Sequence, residues 1–196
     1  GKIVANKDLT AKKVESAGDI TVVGKIMADS LKSSGSLRTN EALDINGDFG
    51  NDGTIETPKD VTVAGDISNA GKILAGGNLS GRKVTNTGDI AAAGTVSSDD
   101  MSTSGTVKAN QTVTVSGKLE NDGDLEAVED IKVSGNVRNT KEIATNGDFS
   151  GKNVVSKGKI ISKNFESHDL ENDGKILADG KVKARKVKNA GEISAT

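Results

Sequence analysis

The stretch Gly105–Thr140 reads GTVKANQTVTVSGKLEND and then GDLEAVEDIKVSGNVRNT, two consecutive units of 18 residues on one plan. Each unit opens with Gly and places an aliphatic residue two positions on (Val107, Leu125), with Ala two further (Ala109, Ala127). An alternating β-branched pair follows (Val113 and Val115, Ile131 and Val133). Then come Gly117 or Gly135, an aliphatic (Leu119, Val137) and an Asn (Asn121, Asn139). Apolar residues alternating with period two signal a strand, and Gly at fixed intervals signals a corner.

The unit extends over the whole chain. Unit starts fall at Gly1, Gly18, Gly35, Gly53, Gly71, Gly88, Gly105, Gly123, Lys141, Gly158, Gly174 and Gly191. The spacings are 17, 17, 18, 18, 17, 17, 18, 18, 17, 16 and 17, giving eleven rungs and the start of a twelfth. Three columns of apolar residues repeat with the rungs: one two residues after each start, as in Ile73 and Ile90; one eight residues after it, as in Leu79 and Val96; and one four residues before the next, as in Val84 and Met101. The second column fails once, at Glu166 in the short tenth rung, where Phe165 is the natural replacement. A fourth column, from Ala5 to Ala195, is mostly small.

A fifth column is small and polar: Ser16, Ser33, Asn51, Asn69, Asn86, Thr103, Asn121, Asn139, Ser156, Asn172 and Asn189. Stacked one rung apart, such side chains can hydrogen-bond along the stack, and Asn also tolerates a left-handed corner backbone. The series 17, 17, 18, 18 recurs as a cassette covering residues 1–70, 71–140 and, in part, 141–196.

A single rung cannot bury a face, so its neighbours must cover it. The expected fold is all-β: a single-stranded parallel β-helix, a three-sided β-solenoid of about eleven rungs. Parallel crossovers make a right-handed coil the expectation. At ~4.8 Å per rung the rod is roughly 50 Å long, with a thin core and no room for a cofactor.

Composition narrows the function. The net charge is −2, which gives no field for nucleic acid or an anionic membrane. There is no Cys, so neither a disulfide framework nor a thiolate metal site exists. Aromatic residues make up 2% of the chain, too few for the stacking platforms of a sugar cleft. Gly1 opens in mid-pattern, which predicts an excised segment of a longer chain.

Few residues suggest chemistry. His168, the one histidine, reads as an exposed residue of the irregular rung. Asp99–Asp100 and Asp122 with Asp124 lack the ligand series of a calcium loop and read as solvated corners. Asn46–Gly47 and Asn146–Gly147 are turn pairs, with no following helix to make phosphate loops of them. The cluster Lys181, Lys183, Arg185, Lys186 and Lys188 is a candidate weak anion patch. Its alternation places Val182 and Val187 inward and the bases outward, which favours a solvated face.

The pattern I-x-N-x-G-x-I-x-A, seen in Ile67–Ala75 (ISNAGKILA) and Leu119–Ala127 (LENDGDLEA), resembles the haemagglutinin repeats of two-partner secreted exoproteins. That family includes filamentous haemagglutinin adhesins, haemolysins and leukotoxins, and contact-dependent inhibition toxins. The resemblance spans the chain, although the rungs here are slightly shorter than the family's. It implies a non-enzymatic stalk, secreted or on the cell surface of a Gram-negative bacterium, without catalytic residue, metal or cofactor. The implied partners are an outer-membrane secretion partner of the parent protein and a host or neighbouring-cell surface. A self-assembling bactofilin-like β-helix, stacking end to end inside the cell, is the alternative. A carbohydrate-active β-helix is a third reading.

Overall fold

The computed structural model describes residues 1–196 and contains strands and no helix. All strand pairings are parallel, each strand lying on its counterpart one rung away, as Ile73 lies on Ile55 and under Ile90. The result is a β-solenoid of about eleven turns. One sheet of 12 strands gathers the first inward column, from Lys2–Ala5 to Glu192–Ala195. A second sheet of 15 strands carries the other two columns and bends around the corner between them.

Rung length decides how that corner is turned. In rungs of 17 residues one eight-residue strand runs through it, as in Leu79–Asn86 and Val96–Thr103. In rungs of 18 the extra residue lies between the second and third columns and splits the strand into two of three, as in Val113–Val115 and Leu119–Asn121. The longer corner encloses more space, and a branched side chain fills it: Ile45, Val63, Val115 and Val133 are all buried. The shorter corner carries Ala28, Gly81, Ser98, Gly151 or Ser167 at the matching position. A Cβ at Gly81 would lie 2.7 Å from Ile67 Cδ1, and one at Gly151 would lie 2.9 Å from Val137 Cγ2. Any residue larger than Gly there needs the Ile67 side chain, or those of Val137 and Val154, to shift.

Forty buried apolar residues form one continuous core cluster from Val14 to Ala178. In the tenth rung Phe165 fills the second column, stacked on Phe149 with ring centroids 5.3 Å apart, while Glu166 points outward to Lys183. The missing residue of that rung has left the turn between Ser162 and Phe165, outside the core.

The backbone differs from expectation in one respect. No residue, Gly included, has positive φ. The corners therefore need no left-handed residue, and the Asn column is there for its side chains. The starting glycines serve close approach instead: a Cβ on Gly88 would lie 2.0 Å from the carbonyl oxygen of Gly71 in the rung beneath. Lys141 is the one start with a side chain, and it reaches out to Asp124 at 2.7 Å.

Candidate functional site

The polar column is a buried ladder at the corner between the third and first columns. Ser33, Asn51, Asn69, Asn86, Thr103, Asn121, Asn139, Ser156 and Asn172 are buried, Ser16 is half-buried, and Asn189 at the open end is exposed. Asn51 Nδ2 donates to Asn69 Oδ1 (2.7 Å), Asn69 to Asn86 (2.8 Å), and Asn86 to Thr103 Oγ1 (3.2 Å). Asn121 continues to Asn139 (2.8 Å) and Asn139 to Ser156 (3.3 Å). Asn172 donates to Asn189 (2.8 Å). The same Nδ2 groups also donate to corner carbonyls, as Asn69 does to Gly71 (3.1 Å) and Asp89 (3.1 Å). Each such amide thus joins its own rung to the next.

Hydroxyl residues break the ladder. Thr103 turns its hydroxyl to the Gly105 carbonyl (3.4 Å), and Asn121 Oδ1 is left buried without a partner. Burying a polar atom unpaired costs ~1–3 kcal/mol. Ser98, Ser162 and Ser167 each leave a buried hydroxyl unpaired as well.

A second Asx series runs along the outside. Asp60 Oδ1 accepts from Asn78 N (2.6 Å), Asn78 Oδ1 from Thr95 N (2.9 Å), and Asp130 Oδ1 from Asp148 N (2.8 Å). Asp100 Oδ1 accepts from Lys118 N (2.8 Å). Asp100, expected to be a solvated corner residue, caps an amide of the next rung, as Asp60 and Asp130 do. Their signal was visible in the sequence, as Asp or Asn one residue before an inward aliphatic. Asp122 is bonded to Arg138 Nη1 (2.8 Å) and Thr140 Oγ1 (2.6 Å). The Thr140 hydroxyl, then the nearby Arg138 charge, holds the Asp122 carboxyl below its ordinary value. No three Asp, Glu, Cys or His side chains gather into a metal-binding group.

The basic cluster is partly neutralised by the rung beneath it. Lys183 pairs with Glu166 at 2.8 Å, Arg185 with Asp169 at 3.1 Å, and Lys188 with Glu171 at 2.5 Å. Those contacts raise the pKa of Lys183 and Lys188. Lys181 and Lys186 form no ion pair. Val187, expected to face inward, is 54% exposed, because no further rung covers it. His168 is exposed and lies 3.5 Å from Asp169 Oδ1.

Two open grooves mark the sides. The larger, about 680 Å³, has a floor of Leu74 and Ala91 between Arg38 and Lys108. Both cations are engaged, Arg38 with Glu56 (3.1 Å) and Lys108 with Glu126 (2.9 Å). The other, about 500 Å³, passes Gly151, Ser167 and His168.

No family model, curated protein or solved structure matches the chain.

Proposed function

We propose that the chain is a structural rod, a stalk segment of a large secreted or surface-displayed bacterial exoprotein, and that its contribution is length. The observation that carries this reading is the unbroken core cluster from Val14 to Ala178. Every rung adds ~4.8 Å of reach and repeats the same section. The lateral surface supports the reading: most of its ion pairs link neighbouring rungs, as Lys141 links to Asp124 and Arg138 to Asp122. The resemblance of Ile67–Ala75 and Leu119–Ala127 to haemagglutinin repeats supplies the surface location, the secretion partner and the distal adhesin or toxin region. On this reading no residue is catalytic and no cofactor is needed.

A second reading, an intracellular filament of stacked copies, rests on the parallel in-register stacking of the rungs, the same pairing by which one copy would continue another. One experiment separates the two. Antibodies raised against residues 1–196 are applied to intact and to permeabilised cells of the source organism. Labelling of intact cells supports the stalk. Labelling only after permeabilisation overturns it in favour of the filament.

A further inference from the structure

The two Asn–Gly pairs sit in different hydrogen-bonding environments, and we propose that Asn46 is a site of spontaneous deamidation while Asn146 is protected. Asn46 and Asn146 are both exposed, and Gly47 and Gly147 are both half-buried. Exposure therefore does not distinguish them; the following amide does. Gly147 N–H donates to the Glu129 carbonyl (3.2 Å) and to Thr145 Oγ1 (3.1 Å). Gly47 N–H donates to nothing, and only the Gly47 carbonyl is engaged, by Gly65 N–H at 3.1 Å.

The reaction begins at that nitrogen. Gly47 N loses its proton to solvent base and attacks Asn46 Cγ. The new C–N bond closes a five-membered succinimide as the Cγ–Nδ2 bond breaks, and Nδ2 leaves as ammonia with a proton taken from water. Water then opens the ring at either carbonyl, giving Asp or isoAsp. No oxidant, metal or enzyme is required. An amide whose proton is already donated to two acceptors is harder to deprotonate and less free to move, so Gly147 resists the first step.

The product changes the corner. Asn46 Nδ2 now donates to Asp29 Oδ1 at 3.2 Å. Deamidation replaces that donor by a carboxylate facing a carboxylate, a repulsive pair between the second and third rungs. The isoAsp form also lengthens the backbone at a corner that already holds the extra residue of an 18-residue rung.

The test is peptide mapping by mass spectrometry after incubating the folded chain in mildly alkaline buffer, with the same chain held in urea as reference. Protection at each site is its rate in urea divided by its rate in the folded chain. Asn146 should be protected about fivefold more than Asn46, the factor that one hydrogen bond of ordinary net strength supplies. In Thr145→Val, which removes one of the two acceptors, the protection of Asn146 should fall toward that of Asn46. Equal protection at the two sites, or greater protection at Asn46, overturns the proposal.

Discussion

A rung of 17 residues and a rung of 18 solve the same corner in two ways. Val96–Thr103 runs through it as one strand over the small residue Ser98. One rung later, Val113–Val115 and Leu119–Asn121 are separate strands over the buried Val115. Perimeter and side-chain volume change together, so the interior stays filled. The columns before and after the corner remain in register, with Val96 on Val113 and Met101 on Leu119. The solenoid thus tolerates a change in rung length where an inward residue can absorb it.

The largest effects belong to what the two rung types share. Ile90 lies in a 17-residue rung and Val107 in an 18-residue rung, both buried in the first column. Asp at either position strands a charge among aliphatics and should cost on the order of 5 kcal/mol, read from urea unfolding. A large difference between Ile90→Asp and Val107→Asp would show that the two rung types do not share this face.

The corner itself gives the next effect and the sharper contrast. Val115→Ala should cost about 2 kcal/mol, from lost burial and a residual cavity. Gly81→Val should cost about as much through overpacking against Ile67. Ser98→Ala should cost nothing or stabilise slightly, since its hydroxyl is buried without a partner. Equal losses for Val115→Ala and Ser98→Ala would break the link between rung length and corner volume.

The solenoid, its rung boundaries and its three inward columns were legible because aliphatic spacing is a strong signal over eleven repeats. Phe165 could be placed because a deletion must be absorbed in a turn if the columns are to hold. The pairing of rung length with corner size was present in the spacing of Leu79 to Val84 against Leu43 to Phe49, but it shows only when residues between the columns are compared. The polar ladder was legible as a column. Its breaks at Thr103 and Ser156 were not, because the direction in which a hydroxyl donates depends on carbonyls that only the fold brings close. The exposure of Val187 was missed because alternation gives the direction of a side chain and says nothing of what covers it.

Smaller effects test that ladder. Thr103→Asn restores a donor for Asn121 Oδ1 and should stabilise by about 1 kcal/mol, a rise in melting temperature of roughly 2–4 °C. No rise would mean that the break at Thr103 is harmless. The surface contributes least. Asp122 and Asp130 are held below their ordinary values, chiefly by the Thr140 hydroxyl and by Lys132. Their folded pKa values are depressed, so their stabilisation is complete above about pH 4 and is lost as pH falls through the lower folded values. A pH series of melting temperatures should show a shallow decline there, reduced in the double variant Asp122→Asn, Asp130→Asn, with the remainder coming from Glu15 and Glu171, which Lys13 and Lys188 also hold low. Lys188→Asp breaks one exposed pair and should leave the melting temperature essentially unchanged.

Small-angle scattering on a chain lacking residues 71–140, one whole cassette, bears most directly on the stacked coil. Four rungs leave and Lys141 takes up the register after Ala70, so the longest dimension should shorten by about 19 Å while the cross-section is unchanged. An unchanged length, a thicker particle or an unfolded chain would contradict a rod built of interchangeable turns.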